Sequence, residues 1–235
     1  HNNMKTTQQL LNGLCRDNEL KLLELKPEFA QPFDTLKIGI DVSVDSTGLA
    51  LVYGNKVAGF LFQPSLPPED DSCPDLNYVQ YNKIYSHASS SAREYSKLMT
   101  MRTLANKVND AISLFMEHIY PNYPQRVQIA VEGAAYGYMQ HNSNSLVELV
   151  MFRAVIQDHV YHRWPLGTPI SFDVLAPKSI KKEFTGDGSA NKLKMIETAL
   201  THFVEIFWCG RIDDFCDAYA LATSKMLANP EPRLW

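Results

Sequence analysis

Three apolar runs follow one another between residues 36 and 62, separated only by short turns, and they constrain the fold more than anything else in the chain. LKIGIDV (36–42) leads through the polar turn SVDSTG to GLALVY (48–53), and Gly54-Asn55 joins that run to KVAGFLF (56–62). A Gly-Asn pair between two apolar runs is a hairpin signal, so the three runs read as antiparallel strands. Beyond a proline-rich loop (63–77) the pattern changes. Helical stretches near 90–119 and 144–163 alternate with VQIAVE (127–132) and PISFDVL (169–175). Further helices near 177–183, 189–207 and 212–227 fill the last third. The order βββ-α-β-α-β-α-α predicts an α/β domain. Its five-stranded mixed sheet has the first three strands antiparallel, the later ones parallel and buried, and helices on both faces. Leucines at helical spacing in TQQLLNGLCRDNELKLLEL (7–25) predict an N-terminal helical arm over 1–35, ahead of the sheet domain (36–228) and a short tail (229–235).

A chain of 235 residues, 45% hydrophobic, suffices for one substantial core. No apolar run approaches the ~18 residues that a membrane span requires. The opening HNNMKTTQQLLNG lacks the basic-then-apolar pattern of a secretory signal. Cys15, Cys73, Cys209 and Cys216 form no CxxC pair. Reduced thiols in an intracellular protein are expected. The net charge of −4 argues against a uniformly basic nucleic-acid binder. It leaves room for one local basic surface, because 177–194 carries Lys178, Lys181, Lys182, Lys192 and Lys194 against Glu183 and Asp187. A solvated lysine face is the alternative reading.

Two of the apolar strands end in an acid, IGID at Asp41 and IAVE at Glu132. A third acidic pair, Asp214 and Asp217, stands one turn apart at the front of the helix IDDFCDAYALA (212–222). Carboxylates are rarely buried unless paired or metal-bound. Ligands of open sheets collect at the carboxyl ends of the parallel strands, where these four acids would meet. Their mutual repulsion calls for protonation or for a divalent cation. Hard oxygen donors suit Mg²⁺ or Mn²⁺, and a pair of such ions is a known device for phosphodiester hydrolysis. Asp213 reads as the helix cap and Asp45 as a solvated turn residue. His141, His159 and His162 have no acidic or cysteine partner at ligand spacing and read as ordinary surface residues.

Four segments resemble, in order, the motifs of the RuvC-type Holliday-junction resolvases, a branch of the RNase H-like nucleases. IGIDVSVDSTGLALV (38–52) is similar to the first, a strand ending in Asp followed by Ser and Thr-Gly, and IAVE (129–132) to the second. PKSIKKEFTGDGSANK (177–192) resembles the Pro-x-x-(Val)-Lys and Gly-x-Gly-Ser/Arg-Ala-x-Lys segment. DDFCDAYALA (213–222) resembles the closing Asp-x-x-Asp-Ala-x-Ala-Leu-Ala. The resemblance spans about 36–227 and implies an RNase H-like fold.

It further implies metal-binding, catalytic roles for Asp41, Glu132, Asp214 and Asp217, which would hold two Mg²⁺ ions. Lys181 and Lys192 match the lysines near the scissile phosphate. Lys192 would assist catalysis, and Lys178, Lys181, Lys182 and Lys194 would contact DNA. Where the family has an aromatic that stacks on a junction base this chain has Ala135, which leaves Tyr136, and secondarily Tyr138, as the candidate. The implied activity is Mg²⁺-dependent, symmetric nicking of four-way DNA junctions by a homodimer, giving 5′-phosphate ends. The dimer contacts would come from helix 144–163 or the N-terminal arm, although both segments also read as core packing. The alternatives are an RNase H-fold nuclease for other branched DNA or RNA–DNA hybrids, a non-catalytic junction-binding protein, and an actin-like ATPase. The last also uses an Asp plus Thr-Gly hairpin, but this chain has no second such half.

Overall fold

The computed structural model describes residues 6–15, 18–43, 46–68, 71–83, 89–133, 143–207 and 212–232. In chain order the elements are α1 (Thr7–Leu14), β1 (Leu23–Glu24), a 3-10 turn (Pro27–Phe29), β2 (Thr35–Asp41), β3 (Thr47–Tyr53), β4 (Lys56–Gln63) and β5 (Asn77–Gln80). They continue with α2 (Ser90–Ile119), β6 (Arg126–Glu132), α3 (Ser143–His162), β7 (Pro169–Leu175), α4 (Pro177–Thr185), α5 (Lys192–Leu200), α6 (Asp213–Thr223) and β8 (Glu231–Pro232).

The expected antiparallel meander is present as β2–β3–β4, and β6 and β7 add to β2 in parallel. The sheet is nevertheless larger than five strands. Among the described residues it has eight, in the order β1-β4-β3-β2-β6-β7-β8, with β5 paired to β4. The three additions are short edge pairings. The N-terminal helix is also shorter than the leucine spacing predicts, ending at Leu14 instead of near residue 25. Asn18 turns the chain in the left-handed region, at φ 55°, which asparagine tolerates. The next residues then lie along the sheet edge, where buried Asn77 accepts the Lys21 N–H (2.9 Å) and donates to the Lys21 carbonyl (3.0 Å). The last two helices likewise stop early, α5 at Leu200 and α6 at Thr223.

Alternation along the strands sorts the two faces. Ile38, Ile40, Leu49, Leu51, Ile129 and Val131 face one way, into a core with α1, α2 and α3 that includes Leu104, Val108, Ile112, Phe115, Phe152 and Ile156. At the centre of the sheet the opposite parity is built of small residues. Gly59, Ala50, Gly39 and Ala130 align across four adjacent strands, forming a trough. Helix α6 lies in it: a Cβ on Gly39 would sit 1.9 Å from the Ala218 carbonyl oxygen, and one on Gly48 2.0 Å from that of Asp214. Backbone-to-backbone seating of this kind requires glycine on the sheet. It also explains the alanines of α6, since Ala218 and Ala222 meet Gly39 directly. Among the described residues no helix is long and apolar enough to cross a membrane.

Candidate active site

Asp41 and Glu132 are the last residues of two neighbouring parallel strands. Ile40 pairs with Val131, so the two acids occupy the next rung. Both share the parity of Gly39 and Ala130, which directs their side chains to the α6 face. Asp41 is buried, and its carboxyl hydrogen-bonds that of Glu132. The bond raises the Asp41 pKa and lowers that of Glu132. Burial is the main reason the Asp41 pKa stands well above the ordinary carboxylate range, with repulsion from Glu132, Asp217 and Asp214 adding to it. Glu132 is raised by burial against the opposing pull of Lys181.

Helix α6 supplies the other pair. Gly48, across the hairpin from Asp41, carries the backbone of Asp214 directly upon it. That contact sets the first turn of the helix over the strand ends. Asp217 follows three residues later, its pKa raised to about 7 by burial and by Glu132, with Lys181 countering. The four acids therefore form one electrostatic cluster drawn from three separate chain segments.

Two lysines stand at this cluster. Lys181 lies midway along α4, and its charge reaches both Glu132 and Asp217. The helix that carries it is latched by Glu183, whose carboxylate accepts from Ser224 Oγ (2.6 Å) and from the Lys225 N–H (2.5 Å). Gly186 ends α4 in the left-handed conformation, at φ 82°. Lys192 opens α5, where Asn191 caps the helix by accepting the Lys194 N–H (2.9 Å). The Lys192 pKa is raised, first by its bond to Asp213 and further by Asp214 and Asp217.

Asp213 is not the cap that its position suggests. It is already the first helical residue; the cap is Ile212, with no side-chain bond, and the Asp213 carboxylate pairs with the Lys192 ammonium. Lys178, Lys182 and Lys194 are exposed on α4 and α5. Tyr136, Tyr138, Ala135, His141 and Asp45 lie outside the described residues. His162 does have an acidic partner, Asp158, at 3.0 Å on the preceding turn of α3, and His159 Nδ1 lies 2.9 Å from the Val155 carbonyl oxygen.

Among the described residues no three His, Cys, Asp or Glu side chains stand ready-made around one metal position. Asp41 and Glu132 instead hydrogen-bond each other. The donor set still suits a hard dication: all four groups are carboxylates, and burial with mutual repulsion is what a bound cation would relieve. Sequence reasoning missed Glu183 as a latch, and Gly39 and Gly48 as the seat of α6. The visible signal was the run of small residues at one strand parity.

No protein-family model and no curated protein sequence matches this chain. Solved structures with some likeness include RuvC of Thermus thermophilus, at 15% identity and a TM-score of 0.43, covering 80% of this chain and 91% of that one. Thermus thermophilus RuvC in complex with a Holliday junction substrate aligns at 14% identity and a TM-score of 0.44, covering 83% and 99%. The yeast mitochondrial Holliday junction resolvase Ydc2 aligns at 12% identity and a TM-score of 0.43, covering 83% and 78%.

Proposed function

We propose that this chain is a metal-dependent endonuclease that nicks four-way DNA junctions. The observation carrying the reading is the meeting of Asp41, Glu132, Asp214 and Asp217 at one end of the sheet with Lys181 and Lys192 beside them. Carboxylates alone would repel a phosphodiester; with cations bound among them and two lysines alongside, the same site attracts one. Asp41, Glu132, Asp214 and Asp217 would hold two Mg²⁺ ions, with Mn²⁺ as a substitute. Bound there, the metal supplies Lewis acidity and a water acidic enough to ionise near neutral pH.

The chain's own residues do the rest. Lys181 and Lys192 bind non-bridging phosphate oxygens and offset the charge that grows on them in the transition state. Asp213 holds the Lys192 ammonium at the head of α6 until phosphate engages it. Exposed Lys178, Lys182 and Lys194 extend the contact along the backbone, where they set position without reading sequence. The products are a 5′-phosphate and a 3′-hydroxyl. Two symmetric nicks require two sites, so the working form is a homodimer. Helix α3 supports that reading: Phe152 and Ile156 face the core, while Val150 and Met151 are exposed.

The test sets purified protein with Mg²⁺ against a four-way junction, a flap, a linear duplex and an RNA–DNA hybrid. Symmetric nicks in the junction alone are expected, and cutting of the flap or hybrid instead would select one of those substrates. Asp41→Asn and Glu132→Gln should each abolish cleavage while junction binding survives. Parental cleavage by Asp41→Asn would remove the site from consideration.

A further inference from the structure

Helix α2 is longer than the sheet it covers. Its 30 residues span about 45 Å at ~1.5 Å each, whereas the seven-residue strands β2 and β6 span roughly 23 Å. From Met101 to Ile119 the helix is seated, with Met101, Leu104, Val108, Ile112, Phe115 and Ile119 buried. Between 91 and 100 only Ser96 is buried.

The overhang lies at the acid end. Gln80, the last residue of β5, pairs with Gln63, whose side chain reaches Ser46 Oγ (3.4 Å) beside the start of β3. The chain passes from that end into α2 and leaves it for β6, whose first residue pairs with Thr35 at the far end. The eleven residues of α2 ahead of Met101, about 16 Å of helix, therefore lie towards the end of the sheet that bears Asp41 and Glu132.

The seated stripe runs back through Phe115, Ile112, Val108, Leu104 and Met101 in steps of three and four. Continued at the same spacing it reaches Lys97, and then Glu94 and Arg93 on either side of its line. Where the sheet stops, the stripe that faced it changes from apolar to charged, with two cations to one acid. Residues 90–102 carry Arg93, Lys97 and Arg102 against Glu94 alone, in a chain of net charge −4. Arg93 is exposed, and Lys97 is part-exposed, 3.5 Å from Glu94. Arg102 is exposed too, but half a turn away from the stripe.

We propose that the Arg93–Lys97 face docks the phosphate backbone of the same DNA that is cut at the acid cluster. The inference rests on reading that cluster as a DNA nuclease site. This face and the α4–α5 lysines would then hold the DNA from the two sides of the sheet.

The experiment measures binding of a fluorescein-labelled four-way junction across a KCl series, in the cleavage-dead Asp41→Asn background. Arg93→Glu/Lys97→Glu should weaken binding about 10- to 100-fold at low salt and reduce the log–log salt slope by about 2. Arg93→Gln/Lys97→Gln should give a smaller loss in the same direction. Arg102→Glu, of equal charge change on the opposite side, should alter affinity less than about twofold. Thermal stability of the Arg93 and Lys97 variants should be nearly unchanged, because the Lys97–Glu94 pair they lose is a surface one. Unchanged affinity and slope in Arg93→Glu/Lys97→Glu, or an equal loss in Arg102→Glu, overturns the docking face. A parent protein that neither binds nor cuts any DNA overturns the nuclease reading, and this inference with it. A parent that cuts while the double variant binds equally well overturns this inference alone.

Discussion

Gly48→Ala tests whether α6 is seated where the acids need it. Gly48 lies across the hairpin from Asp41, and a Cβ there would fall 2.0 Å from the Asp214 carbonyl oxygen and 2.5 Å from its carbon. Ordinary heavy-atom separations are about 3.5 Å, so the helix or the strand must retreat by more than about 1 Å. Both partners are backbone, and no rotamer change can absorb the overlap. Overpacking of this kind costs about 1–3 kcal/mol, and a chain of this size loses about 2–4 °C of Tm per kcal/mol. The same retreat carries Asp214 and Asp217 away from Asp41. Misplacing a reacting group by about 1 Å costs on the order of 10²-fold in rate. Gly59→Ala is the comparison, because the atoms nearest its Cβ are side-chain atoms of Leu76 and Phe215, at 2.6 Å, and not the α6 backbone. Thermal unfolding without metal and junction nicking with Mg²⁺ read the two effects separately. Gly48→Ala should lose both stability and rate, and Gly59→Ala, which crowds two fully buried side chains, should lose stability while keeping more of the rate. A Gly48→Ala protein with parental Tm and parental nicking would refute the seating, as would a Gly59→Ala protein equally impaired in nicking.

Lys181→Ala should lower the nicking rate by about 10²-fold. Lys107→Ala should change it little, since Lys107 Nζ bonds the Gly13 carbonyl on the outer helical layer (2.5 Å); equal losses would point to bulk charge instead. Glu183→Ala unlatches α4 from the residues after α6, and should reduce nicking more than Lys178→Ala does, with a Tm drop of a few degrees in a melting scan. The carboxylate cluster also sets a pH dependence. Asp41, Glu132 and Asp217 bind protons more tightly folded than unfolded, so the stability linked to them is complete below the unfolded pKa and lost as pH rises through the folded values. With Asp217 at about 7, the metal-free protein should lose up to about 4 kcal/mol through this one group between pH 4 and 8, and Mg²⁺ should flatten the decline. A metal-free melting temperature that does not fall over that range would contradict the cluster.

The parts of this molecule legible in its sequence differ in kind from the parts that were not. β2, β3, β4 and β6 are nearly continuous apolar runs, and a buried strand cannot hide its composition. Asp41 and Glu132 were conspicuous for the converse reason, as carboxylates closing such runs. β1 and β8 are two residues long, and β5 is Asn77–Gln80, polar at both ends. Their pairing depends on sheet edges that exist only after the core has formed, and buried Asn77 belongs to that tertiary context. The pairing of Asp213 with Lys192 is hidden in the same way. Local reasoning sees an acid before a helix and assigns a cap, whereas the carboxylate goes to a lysine 21 positions away that α5 brings to the head of α6. Gly39 and Gly48 are subtler, because a glycine within an apolar run is unremarkable until a helix backbone is known to rest upon it. The chemical groups of the site thus stand where local pattern is broken. The distances between them depend on glycines and alanines that obey it, and a substitution at Gly48 can disable the acids without touching any of them.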